Sequence, residues 1–203
     1  MTKMYISSFC LIKKNGIFLN GEKLFSGNNG DAVSFMIDAY RFLSIDYPKF
    51  FKMDNLAKLA FLSTEILLKN NKLLKENDNT KTGVIIANSS SSLNVDLKFQ
   101  DSMNEIPSPS LFVYTLPNVM IGELCIRHKI FGENCALISE GFDIEQLIDF
   151  VTAVNKEKMM DNFITGYVNF EENDLLACLM FVENYYRENQ FDNESIKKIL
   201  NFS

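Results

Sequence analysis

The sequence predicts a layered α/β domain, and three features carry that reading. Gly83-Val84-Ile85-Ile86-Ala87-Asn88 is a continuous apolar run, the pattern of a strand buried on both faces. Just upstream, Asp54 opens the clearest amphipathic helix of the chain, running to about Asn70. Its apolar stripe is Leu56, Leu59, Ala60, Ser63, Ile66 and Leu67. Strand-like and helix-like segments then alternate, so five strands are expected, with helical crossovers between the first four. At 203 residues the chain suits one domain spanning residues 1–203, large enough to bury a core without staples.

Taken in order, Met4 to Ile12 is rich in strand formers and reads as the first strand. Asn15-Gly16 is a tight-turn signal, and Ile17 to Leu19 fits the return arm of a hairpin. Gly27 to Gly30 is a loop. Asp31 then caps a helix to about Ser44, with Phe35, Ala39, Phe42 and Leu43 at helical spacing. After the polar stretch Asn70 to Thr82 comes the buried strand, and after it the serine run Ser89 to Ser92. No Gly-Lys-Ser and helix follow as a phosphate site needs, so a solvated loop is expected there. Asn94 to Asn104 reads as a short helix and Ile106 to Phe112 as a loop. Pro117 suits the first turn of the next helix, with Thr115 or Leu116 as cap and Gly132 as stop. Cys135 to Ile138 reads as a buried strand, followed by a tight turn at Gly141. Phe142 to Val154 is a helix with Ile144, Leu147, Ile148 and Val151 inward and Asp143, Glu145 and Asp149 adding charge. Strands over Asn162–Phe170 and Asp174–Glu183 and a terminal helix over Asn193–Leu200 complete the chain.

Composition excludes several function classes. A net charge of −6 and a pI near 4.9 argue against nucleic acid and against docking to anionic membranes. Apolar runs break off well short of the ~20 residues that insert into a bilayer. The N-terminus has a short apolar run ending in lysines and no cleavage site, which argues against a signal peptide. Cys10, Cys125, Cys135 and Cys178 lie in apolar segments without metal-ligand spacing. They are expected to be reduced, buried thiols of a cytoplasmic protein. No metal or cofactor is expected.

The stretch Ile106 to Phe150 carries a resemblance. It contains Pro107-Ser108-Pro109, then Pro117-Asn118, Ile126-Arg127-His128, Gly132-Glu133-Asn134 and a strand ending at Ser139-Glu140-Gly141. Order and residue types resemble the N-terminal half of β-ketoacyl (3-oxoacyl-acyl-carrier-protein) synthases of the thiolase-like superfamily. There a Pro-Asn helix ending in Ile-Arg precedes Gly-x-Asn, a strand, and a nucleophilic cysteine at a strand-to-helix elbow. The Asp54 helix and the Gly83 strand also have counterparts in that family. The resemblance implies half of a thiolase-like fold, a five-stranded mixed sheet of order 3-2-1-4-5 with the last strand antiparallel and helices on both faces. It places Gly141 where the nucleophile belongs, and no cysteine lies between Glu140 and Val154. The chain ends where the second half, with its histidines, would begin. Chain length factors of polyketide synthases also lack the cysteine.

Several residues are candidates for chemistry. His128, the only histidine, could serve Cys125 or Cys135 as general base, and the blander expectation is a structural histidine. Ser139 or Glu140 at the elbow could act on a thioester, though a serine needs a base. Phe112 and Tyr114 are expected in the core, and Lys49, Lys52 and Lys58 form the densest basic cluster. The resemblance also implies association through the strand before the nucleophile, here Asn134, Cys135, Ala136, Leu137, Ile138 and Ser139. The expected product is a homodimer or a heterodimer with a full-length ketosynthase, with an acyl carrier protein as a further partner. The function implied is a non-condensing accessory role in fatty-acid or polyketide (for instance aryl-polyene pigment) synthesis. The alternatives are a small thioester-acting enzyme and a self-associating scaffold.

Overall fold

The computed structural model describes residues 3–14, 16–27, 30–69, 79–157 and 160–202. Within them, one mixed sheet of eight strands carries helices on both faces. Strand β1 (Tyr5–Lys13) turns back into β2 (Gly16–Leu19), and β2 into β3 (Glu22–Phe25). This hairpin takes up one edge of β1 over Cys10 to Lys13, and β8 (Asn189–Gln190) occupies the same edge at Tyr5 and Ile6. Along the other edge runs β7 (Asp174–Glu183), antiparallel to β1 and to β6 (Asn162–Glu171). Strand β4 (Thr82–Asn88) then lies parallel between β6 and β5 (Asn134–Ile138). The order is β3-β2-β1-β7-β6-β4-β5.

Relabelled by the five strands expected from sequence, the order is 3-2-4-5-1 and not 3-2-1-4-5. The reason is steric. A strand has two hydrogen-bonding edges, and the local hairpin commits one edge of β1. Only one neighbour remains possible, so β1 cannot lie between two other strands of the five. The antiparallel last strand is as expected, whereas β3 and β8 add strands that their short, polar sequences did not announce.

Helices α1 (Ala32–Phe42), α2 (Asn55–Leu68) and α5 (Val119–His128) cover one face. Their core contacts include Met36, Leu59, Phe61 and Leu124 against Ile86, Ile164 and Phe181. Helices α6 (Ile144–Lys156) and α7 (Asn193–Leu200) cover the other, with Leu147, Val151, Ile196 and Ile199 against Ile85, Phe163 and Met180. Between β4 and α5 lie α3 (Leu93–Ser102) and α4 (Pro109–Val113). The caps are those the sequence announces. The Asp31 carboxylate accepts from Val33 N and Ser34 N at 2.9 Å, and the Asp54 carboxylate accepts from Leu56 N and Ala57 N at 3.1 Å. At the far end, Lys13 Nζ donates to Leu200 O (2.7 Å) and Phe202 O (2.8 Å), which ties the end of α7 to β1.

Other expectations need correction. Pro117 lies in a turn before α5, which starts two residues later with Asn118 as cap. That helix ends at Lys129, in left-handed conformation (φ 54°), and not at Gly132. Gly132 instead lies so close to β4 that a Cβ there would meet Thr82 O at 2.2 Å. The segment read as a loop before Tyr114 contains α4, capped by Ser108. Helix α6 is one-sided: Leu147, Val151 and Asn155 are buried, and Asp143, Glu145 and Asp149 face outward. Met1, the turn residue Asn15, Asn28 and Asn29 of the loop, and residues 70–78 of the polar stretch lie outside the described residues.

Gly166, in the middle of β6, has φ 150°, and a Cβ there would meet Cys178 O of β7 at 1.9 Å. Gly166→Ala therefore forces the two central strands apart. The expected loss is roughly 2 kcal/mol or more, read as a lowered midpoint in urea unfolding.

Candidate functional site at the strand ends

The parallel ladder brings the C-terminal ends of β4 and β5 to one level beside the later half of β6, with Asn88 beside Ile138 and Ala87 beside Tyr167. Open α/β sheets hold their ligands in this position. Asn88 is fully buried and organises it. Its Nδ2 donates to Val168 O (2.6 Å) and Asn169 Oδ1 (3.1 Å), and its Oδ1 accepts from Ser91 N. Asn169 Oδ1 accepts in turn from Ser90 N (2.9 Å) and Ser89 N (3.3 Å). The serine run is thus tied down by two asparagines and is not the solvated loop expected. Ser89 Oγ and the Tyr167 hydroxyl share a hydrogen bond of 2.7 Å, and the Tyr167 ring stacks on Phe142 with centroids 4.8 Å apart. Sequence reasoning passed over Asn88, Tyr167 and Asn169. The available signal was an asparagine closing a wholly apolar strand, where its amide must find partners.

The elbow follows directly. Ser139 N donates to Asn88 O (3.1 Å), and Ser139 Oγ donates to Gly141 O (2.6 Å). Glu140 is exposed. Asp143 N also donates to Gly141 O (3.0 Å), and the Asp143 carboxylate caps α6 by accepting from Gln146 N (2.9 Å). Gly141 has no left-handed φ, and a Cβ there meets no atom within 4 Å. Nothing in the backbone demands glycine at this position. The elbow offers no thiol, its serine hydroxyl is donated to the backbone, and a carboxylate sits at the positive end of α6.

His128 and the cysteines do not join it. Helix α5 leads into the start of β5, whereas Gly141 follows its end, so the length of β5, roughly 16 Å, separates them. His128 Nε2 lies 3.3 Å from Glu65 Oε1. Arg127 grips the same carboxylate through Nε (2.7 Å) and Nη2 (3.2 Å), and its guanidinium lies over Tyr47. Burial holds His128 below the ordinary imidazole pKa, against the opposite pull of Glu65 and with that of Arg127. Burial also pushes the Cys125 thiol up to about 11 and raises that of Cys135. Cys135 faces the α6 side of the sheet, where no base accompanies it among the described residues.

Among the described residues strand β5 pairs only with β4, and its residues are half-buried or exposed, contrary to the buried strand expected. Its apolar run resembles a buried one because the second edge and part of each face await cover that the described residues do not supply. Phe112 is likewise corrected: it is 58% exposed and packs its edge on Phe99, alongside exposed Leu97, Met103, Ile106 and Leu116. The short helix α4 lies outside the layers and cannot carry the ring into the core. Tyr114 is half-buried, and its hydroxyl donates to Glu123 Oε1 (3.0 Å). Lys49 Nζ holds the other oxygen of this buried carboxylate at 2.8 Å. Lys49 is therefore spent internally, which breaks up the basic trio. No helix among the described residues is long and apolar enough to cross a membrane.

Solved structures share this arrangement. The ishigamide ketosynthase/chain length factor superposes with a TM-score of 0.63 at 15% identity, over 92% of this chain and 64% of that one. This is the ketosynthase fold. The ketosynthase ApeO in complex with its chain length factor ApeC, from Xenorhabdus doucetiae, gives a TM-score of 0.59 at 13% identity, over 90% of this chain and 79% of that one. The type II PKS ketosynthase bound to the hexaketide with its acyl-carrier protein (AntDE:AntF) gives 0.62 at 11% identity, over 90% of this chain and 62% of that one. The chain thus spans less than two thirds of the ishigamide and AntDE:AntF structures, which fits half of a thiolase-like fold. No protein-family profile matches the sequence, and no curated protein matches it.

Two outcomes follow from the site. Gly141→Ala should leave the urea midpoint unchanged or raise stability by up to about 1 kcal/mol, because the methyl enters open space and the unfolded chain loses freedom. A lowered midpoint would show that the elbow does need glycine. His128 has a depressed folded pKa, so the unfolded chain binds the proton more readily. Its contribution is present above the ordinary imidazole pKa of about 6.5 and is lost as pH falls through that value toward the folded one. Wild type should lose more stability than His128→Asn between about pH 7.5 and pH 5. Equal losses would place His128 outside the linkage.

Proposed function

We propose that the protein is a non-condensing, ketosynthase-like partner subunit in fatty-acid or polyketide synthesis. It associates with a ketosynthase or an acyl carrier protein and does not form carbon–carbon bonds itself. The observation that carries this is the elbow. Condensation through an acyl-enzyme needs a nucleophile that accepts the acyl group and a base that activates it. The resemblance puts Gly141 at the nucleophile position, a Cβ there would enter open space, and the only imidazole lies beyond the opposite end of β5. The structures it resembles support the partner class, since they include a ketosynthase with its chain length factor and a ketosynthase with its acyl-carrier protein. The bare edge of β5, Asn134 to Ser139, and the exposed apolar side chains of α3 and α4 supply surfaces for such association.

The test is direct. Purified protein is supplied with malonyl and acyl thioesters, alone and with a full-length ketosynthase from its own source. The expected result is no condensation and no thioester turnover by the protein alone, and altered product yield or length when the ketosynthase is present. Condensation by the chain alone overturns the proposal. So does hydrolysis that disappears in Ser139→Ala or Glu140→Gln, which would make the elbow a small thioester-acting site.

A further inference from the structure

Helix α7 is eight residues long, and an isolated helix of that length is marginal in water. It stays on the sheet through the buried side chains Ile196 and Ile199 and through contacts at its two ends. Its head is clamped. Lys13 Nζ of β1 donates to Leu200 O (2.7 Å) and Phe202 O (2.8 Å), carbonyls beyond the reach of donors within the helix. The Phe202 ring stacks on Phe9 with centroids 5.5 Å apart. It also sits against Gly21, where a Cβ would meet Phe202 Cε1 at 3.0 Å. The foot is a tether beside a gap. Phe191 is buried and its N donates to Met4 O (2.9 Å), while a cleft of about 400 Å³ bordered by Ile148, Thr152 and Asn193 lies between α6 and the start of α7. Asn193 Nδ2 reaches Glu145 Oε1 of α6 only at 3.4 Å. The core that α7 helps to cover includes Leu11 and Cys178, both fully buried. Cys10 is equally buried, but in the core on the opposite face of the sheet.

We propose that α7 is a latched strap that swings off the β1 face as a unit, pivoting at Phe191–Asp192, with Lys13 and Phe202 as its latch. Strand β1 is paired along both edges without α7, by β7 on one side and by β2 and β8 on the other. Helix α6 keeps Leu147 and Val151 on the sheet. Opening therefore breaks the two Lys13 hydrogen bonds, the ring stack and the burial of two isoleucines, and leaves the strand ladder intact. Such a step costs less than unfolding the whole chain. It uncovers Phe9 and Leu11 on β1 and involves neither the elbow nor the β5 edge. It also exposes Cys178 and not Cys10. Burial pushes the closed Cys178 thiol up to about 12 and raises that of Cys10. A thiol released to water titrates near about 8.5 and reacts as the thiolate.

The experiment treats the full chain with iodoacetamide under native conditions and times the label on each cysteine by mass spectrometry of its peptides. Cys178 should label at least about tenfold faster than Cys10, at a rate that changes little in dilute urea. Lys13→Met keeps the side-chain stem and removes the donor, and Phe202→Ala removes a ring that is 39% exposed. Each should speed labelling of Cys178 by about tenfold. Loss of the Lys13 charge by itself disfavours the Cys178 thiolate, so its electrostatic effect runs the other way. Ile66→Val, in the core on the opposite face, lowers global stability and should leave the Cys178 rate unchanged. Equal rates for Cys178 and Cys10 in the wild type overturn the strap, as does a Cys178 rate that rises with Ile66→Val. A Cys178 rate that neither Lys13→Met nor Phe202→Ala changes overturns the latch.

Discussion

Everything at the candidate site is levelled by the position of β4. This strand is buried along its whole length and is paired on both sides, so its last residue, Asn88, sits at a fixed height between β5 and β6. A buried amide at that point has to be satisfied, and it is satisfied through the backbone and side chain of β6 and through the turn that follows. Ser89, Ser90 and Ser91 are held in consequence, Tyr167 is held by Ser89, and Phe142 is held by Tyr167. The elbow at Ser139 to Gly141 takes its place from the same source, since Ser139 N donates to Asn88 O. One buried asparagine at the end of β4 thus ties the site together.

The polar groups of the elbow are engaged locally. The hydroxyl of Ser139 and the carboxylate of Asp143 are both turned inward on the local backbone, where they complete the turn and the start of α6. A helix N-terminus can stabilise a thiolate or an oxyanion, but here the protein's own anion fills that role. The polar groups at the elbow satisfy one another. A cluster of this kind stabilises the turn and the start of α6.

Much of this was legible in the residues. Asp31 and Asp54 announce two helix starts, and the wholly apolar run at Val84 announces a strand buried on both faces. Strand order was legible too. A hairpin read at Asn15-Gly16 already leaves β1 with a single free edge, and the order implied by resemblance conflicted with it. What could not be read was cover. Cys135-Ala136-Leu137-Ile138 has the composition of a buried strand, and Phe112 that of a core ring, yet both are half-buried or exposed. Composition reports that a side chain prefers an apolar neighbour, not which chain provides it. The Asn88–Asn169 network was hidden because its partners lie about 80 residues apart in sequence and meet only through the parallel register.

The incomplete cover of β5 bears on what the edge can be for. The two cores are built without it: their fully buried side chains come from β1, β2, β4, β6 and β7, the helices and the segments between them, while Cys135, Ala136 and Leu137 pack only partly against them. The two cores thus close while β5 stays partly uncovered among the described residues. An edge that is stable while bare needs protection from indiscriminate pairing, and charged residues at the ends of a short strand provide it. Glu133 and Glu140 stand at those two ends, and neither contributes to the core. Their charges discourage indiscriminate pairing at the ends of the strand. The residues that build the two cores and those that flank the edge are thus different.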